Sequence, residues 1–94
     1  MSEAPQALAD LREEIDAVDA ELVALLARRL DVVHRVLAVK QEHGIPALLP
    51  DRVEDVVARV TAQAEARGVP PDLAETLWRR LIEWTVAYEE ERLG

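Results

Sequence analysis

The sequence predicts an all-α fold of three helices in a single domain, residues 1–94, on three observations. The apolar residues are overwhelmingly Leu, Val and Ala, with no Phe, two Trp and one Tyr. Ala and Leu are among the best helix formers, and the aromatic residues that enrich strands are nearly absent. Apolar positions recur at steps of three and four, the spacing of one helix face. Two clusters of Gly and Pro, Gly44–Pro46 and Gly68–Pro71, then cut the chain into three segments.

The first helix is expected from about Pro5 to about His43, and it is very long. Its seam is Leu8, Leu11, Ile15, Val18, Leu22 and Leu25, then Val32, Val36 and Val39. Pro5 suits a first turn, while Gly44 and Pro46 stop the helix. Some 38 residues at 1.5 Å each give roughly 57 Å, about twice the span of a small domain. The rest of a 94-residue chain cannot cover both sides of such a helix, so the seam predicts a partner, most simply a second copy. The second helix is expected from about Pro50 to Arg67, with Val53, Val56, Val57 and Val60 inward. The third opens at Pro70-Pro71-Asp72 and sets Leu73, Leu77, Leu81, Trp84 and Tyr88 along one face, Trp78, Trp84 and Tyr88 being read as core. Separators of six residues or fewer are typical of compact helical domains.

Charge narrows the function. Nineteen acids against eleven Lys and Arg give a net charge of −8. That argues against nucleic acid, whose phosphates need a basic face, and against an anionic membrane surface. The absence of cysteine excludes disulfide and thiolate chemistry and fits a reducing compartment. The longest apolar run, Leu22 to Ala27, is too short to span a bilayer. The stretch Met1-Ser2-Glu3-Ala4-Pro5 lacks the basic and apolar regions of a signal peptide, so a cytoplasmic protein is expected. There is no metal-ligand spacing around His34 or His43, no glycine-rich phosphate loop, and no Ser-His-Asp or Cys-His set. No metal or cofactor is therefore expected.

The informative residues are cations where apolar residues belong. Four residues past Leu25 the seam lands on Arg29, and desolvating an arginine alone is costly. Beside it runs a stripe at seven-residue spacing, Arg12, Asp19, Leu26, Val33 and Lys40. Arg12 and Lys40 are about 42 Å apart along one helix, too far to serve one small ligand. In an antiparallel dimer, Arg12 of one copy reaches Arg29 and Lys40 of the other. Two readings fit these charges equally: salt bridges to the many carboxylates, or a bound anion.

The segment Leu8-Ala9-Asp10-Leu11-Arg12-Glu13-Glu14-Ile15-Asp16-Ala17-Val18-Asp19, followed by Leu25-Leu26-Ala27-Arg28-Arg29 and Lys40, resembles the all-helical chorismate mutases. Their pattern is L-x-x-L-R-x-x-I-D-x-h-D, then L-L-A-x-R, then a lysine. The resemblance runs from Leu8 into the third helix. It implies an intertwined homodimer with two active sites and a small-molecule dicarboxylate substrate, on the route to prephenate and so to Phe and Tyr or a secondary metabolite. By position, Arg12 enters the partner's site, while Arg29, Lys40, Arg52, Thr85 and Glu89 come from one chain. The arginines are expected to hold two carboxylates. Lys40 and Glu89 are expected at the ether oxygen of the breaking bond. Such a unimolecular rearrangement needs only orientation and preorganised donors, which suits a chain without other catalytic motifs.

Two departures matter. Glu89 stands where most bacterial members carry glutamine. A glutamate donates a hydrogen bond only when protonated, so activity is expected to rise as pH falls below neutral. Leu49 and Val53 stand where the best-known bacterial members carry carboxylates that handle the ring hydroxyl. Isochorismate-pyruvate lyases and 4-amino-4-deoxychorismate mutases look similar there, at Pro50-Asp51-Arg52-Val53, and remain alternatives. A non-catalytic helical dimer is the reading from another class.

Overall fold

The structure is a computed structural model that describes residues 5–94. Of the N-terminal stretch read above for targeting features, Met1–Ala4 lies outside the described residues. Three helices follow one another, α1 (Gln6–His43), α2 (Pro50–Ala66) and α3 (Pro71–Leu93), and no strand occurs among the described residues. The limits fall within a residue or two of those expected from the sequence. Among the described residues no helix is long and apolar enough to cross a membrane.

The Gly and Pro clusters act through identifiable bonds. Gly44 takes a φ of +65°, a left-handed conformation open to glycine, and the next amide, Ile45 N, donates to Lys40 O at 2.9 Å. Gly68 repeats the device at φ +74°, with Val69 N donating to Ala64 O at 2.8 Å. Both bonds are the closing bond of a helix C-cap, satisfying a carbonyl that has no partner within the helix. Pro50 and Pro71 occupy first-turn positions, where the missing N–H costs nothing. Asp51 and Asp72 add negative charge at the positive helix ends.

The chain falls into two compact units, one ending at His34 and the other running Arg35–Gly94. In the first, the α1 seam is bare: Leu11 is 55% exposed, Ile15 59% and Leu22 53%. In the second, α2 packs on α3, around a core of Leu37, Ala47, Val57, Ala64, Ala74 and Ile82. Val57 is the buried member of the expected inward row of α2, with Val53, Val56 and Val60 half-buried.

The third helix differs from expectation. Its buried residues are Ala74, Ile82, Thr85 and Glu89, while Leu73, Leu77 and Trp84 of the bulky row are about half exposed. Trp84 is not core; its ring stacks on Tyr88 at 4.9 Å, and the Arg92 guanidinium lies 3.4 Å above the Tyr88 ring centre. Glu89 lies on the inward stripe with Ala74, Ile82 and Thr85, where its carboxylate accepts from Lys40, and the bulky apolar row lies beside that stripe.

Candidate functional site

The last turn of α1 and the last two turns of α3 build a buried polar cluster in the second unit. Lys40 Nζ donates to Glu89 Oε1 at 2.7 Å and to the Ala47 carbonyl at 3.0 Å. The lysine and glutamate side chains are only 12% and 8% exposed. The Ala47 acceptor exists because Gly44 reverses the chain after α1 and the connection folds back along it. Thr85, one turn before Glu89, is buried on the same face, and its Oγ1 donates to Leu81 O at 2.8 Å. Thr85 and Glu89 are the buried polar residues among those described.

A buried ion pair is weak support for stability, because desolvating both charges offsets most of their attraction. An apolar pair of similar volume holds a fold as well. A lysine kept on two acceptors is instead a directed donor, suited to an oxygen that gains negative charge. In the structure Glu89 Oε1 accepts from the Lys40 ammonium.

Arg52, Leu49 and Val53 lie at the start of α2 in the same unit. Leu49 is the N-cap residue, in an extended conformation, and its carbonyl accepts from Val53 N at 3.1 Å. Val53 is half-buried and lines a cavity of about 390 Å³ with Leu48, Ile82 and Val86. A second cavity, of about 550 Å³, is lined by Lys40, Ile45, Ala47, Glu90 and Leu93. Arg52 is exposed and its Nη1 donates to Asp55 Oδ2 at 2.8 Å. Arg12 and Arg29 belong to the first unit. Arg12 is exposed; Arg29 is half-buried and engaged by a neighbouring group.

The structure thus brings Lys40 and Glu89 into contact and places Thr85 one turn away. It sets Arg52, Leu49 and Val53 at one helix end and leaves Arg12 and Arg29 on another unit. Sequence reasoning missed the Ala47 carbonyl, since a backbone acceptor in a connection leaves no residue-type signal. It also missed Asp55 and Arg59, although their helical spacing from Arg52 was legible.

Comparison with known proteins bears on what this cluster is. The chain is 41% identical over 85 residues to the T-protein of Enterobacter agglomerans, covering 90% of this chain and 23% of that one. It therefore spans about a quarter of the length of the T-proteins it matches. It is 37% identical over 81 residues to the isochorismate pyruvate lyase of Pseudomonas aeruginosa, covering 85% of this chain and 78% of that one. With the 4-amino-4-deoxychorismate mutase of Streptomyces pristinaespiralis it shares 33% over 81 residues, 86% of this chain and 63% of that one. The family described as chorismate mutase type II matches residues 11–90, a stretch that takes in the α1 cations, Lys40 and Glu89 together, and the chain belongs to that family.

Proposed function

We propose that this chain is a chorismate mutase, acting as a cytoplasmic homodimer and converting chorismate to prephenate without metal or cofactor. The observation that carries the reading is the half-buried Lys40, held by Glu89 and the Ala47 carbonyl in a family whose name states the reaction. In the rearrangement one C–O bond breaks as one C–C bond forms within the same molecule. No proton leaves, and negative charge grows on the ether oxygen in the transition state. Lys40 donates to that oxygen. Thr85 and Glu89 complete the polar wall, with Glu89 donating once protonated. Arg29 and Arg52, with Arg12 of a second copy, hold the two carboxylates and fix the reactive conformer.

The dimer is supported by what one chain leaves uncovered. No large side chain is fully buried among the described residues, and two apolar rows, Leu11 to Leu25 on α1 and Leu73 to Trp84 on α3, stand about half exposed. Exposed apolar rows of this length mark an interface. An antiparallel second copy covers them and brings Arg12 to a site that lacks it.

A second reading has its own observation. Leu49 and Val53 put apolar side chains where the ring substituent is expected, and the named lyase aligns over most of both chains. The same scaffold then acts on isochorismate or on the amino analogue. Purified protein incubated separately with chorismate, isochorismate and 4-amino-4-deoxychorismate, with products separated by chromatography, decides. Prephenate from chorismate supports the first reading. Salicylate and pyruvate from isochorismate, or turnover of the amino analogue alone, replaces it with the second. No turnover of any of them leaves a non-catalytic helical dimer, and Arg29→Ala then lowers stability alone instead of abolishing turnover.

A further inference from the structure

The first turns of α2 carry three charged side chains in a row, Arg52, Asp55 and Arg59, at helical spacings of three and four. Arg52 Nη1 donates to Asp55 Oδ2 at 2.8 Å, and Arg59 Nε donates to the same oxygen at 3.0 Å. The Asp55 carboxyl is held below the ordinary aspartate range, first by the Arg59 hydrogen bond, with Arg52 adding less and desolvation opposing. Asp55 Oδ2 is thus shared by Arg59, through Nε, and by Arg52, through Nη1.

A guanidinium grips a carboxylate best through two parallel N–H donors. The contact to Asp55 uses Nη1, which leaves the Nε–Nη2 edge as the two-donor face. An arginine side chain otherwise carries large rotamer freedom, lost when it binds. We propose that Asp55, anchored by Arg59, is a positioning residue that holds Arg52 by Nη1 and presents its Nε–Nη2 edge to a substrate carboxylate. This rests on the reading above that Arg52 binds such a carboxylate. Arg59 has a second part: two cations share one anion, so the row keeps a net positive charge toward a dianionic substrate. Asp55 alone would cancel Arg52.

Steady-state kinetics on whichever substrate the wild type turns over tests this, with thermal unfolding of every variant alongside. Asp55→Ala raises KM about threefold, the range expected when an exposed ion pair is lost, while kcat and Tm hardly move. Asp55→Asn, whose side-chain carbonyl still accepts, recovers part of the loss. Arg59→Met raises KM in the same direction. In an Arg52→Ala background, Asp55→Ala changes nothing further. A KM that is unchanged or lowered in Asp55→Ala overturns the proposal, as does an equal rise in the Arg52→Ala background. An Arg52→Ala variant with wild-type KM removes the reading of Arg52 itself, and the role of Asp55 falls with it.

Discussion

Lys40 and Glu89 form the pair on which most of the functional reading turns, and their coupling is measurable. At 2.7 Å and an effective dielectric of about 20, their gross attraction is about 6 kcal/mol. Desolvation of both groups offsets much of it. Removing one partner is a different matter, because it leaves a charge inside the unit with no counter-ion; that costs about 3 kcal/mol or more. Lys40→Met strands the Glu89 carboxylate and is expected to destabilise by that amount. Glu89→Gln keeps shape and a neutral acceptor but leaves the Lys40 ammonium with no counter-ion, and should cost about 3 kcal/mol as well. The double variant has neither charge, so its loss falls well short of the sum, leaving about 2 kcal/mol of coupling. Urea unfolding at one fixed protein concentration reads all four proteins, the concentration being fixed because a dimer's stability depends on it. Additive losses would show that the two side chains do not interact in the folded protein. Turnover provides the second readout. Both variants carrying Lys40→Met should lose it, even where stability is recovered, if Lys40 is the proposed donor to the ether oxygen.

Glu89→Gln places an amide donor at that position: turnover at or above the wild-type level supports a donating role there, whereas loss of turnover with the fold intact removes it. Charge placed on the bare α1 seam, Ile15→Glu or Leu22→Glu, should yield monomers by sedimentation and abolish turnover; a dimer that survives both would place the interface elsewhere. Arg79 bridges α2 and α3, donating through Nη1 and Nη2 to Glu54 at 3.0 Å each. Its hydrogen bond, then its charge, holds the Glu54 carboxyl below the ordinary glutamate range. A carboxyl depressed on folding contributes stability at neutral pH that is lost as pH falls through its folded-state value. Arg79→Met should return the Glu54 carbon resonance to an ordinary titration, and an unshifted curve would deny the bridge.

The helix limits were legible because they depend on local backbone chemistry. Gly44 and Gly68 end helices by a conformation that other residues resist, and Pro50 and Pro71 begin them by lacking an N–H. The rotation of α3 about its own axis was not legible. Apolar periodicity favoured Leu73, Leu77 and Trp84 as the inward row, yet the structure buries Ala74, Thr85 and Glu89 instead. Periodicity counts the apolar area on each face; it takes no account of a charge on another helix. Glu89 meets its counter-ion 49 residues away in sequence, and no local pattern encodes a pairing of that range.

The same rotation bears on what the exposed row of α3 is for. Leaving three large apolar side chains half exposed is costly in a free monomer, at roughly 25 cal/mol for each Å² of apolar surface. A helix that instead buried Leu73, Leu77 and Trp84 would recover that area within one chain. It would also turn Glu89 toward water and leave Lys40 with a single backbone acceptor. The sequence accepts the outward row and retains the polar cluster. If, as proposed, a second copy covers that row, the Lys40–Glu89 pair and the dimer interface follow from one helix orientation. Loss of the pair in Lys40→Met/Glu89→Gln should therefore weaken self-association as well as turnover, although neither residue lies on an exposed row. A double variant that dimerises as tightly as the wild type would break that link.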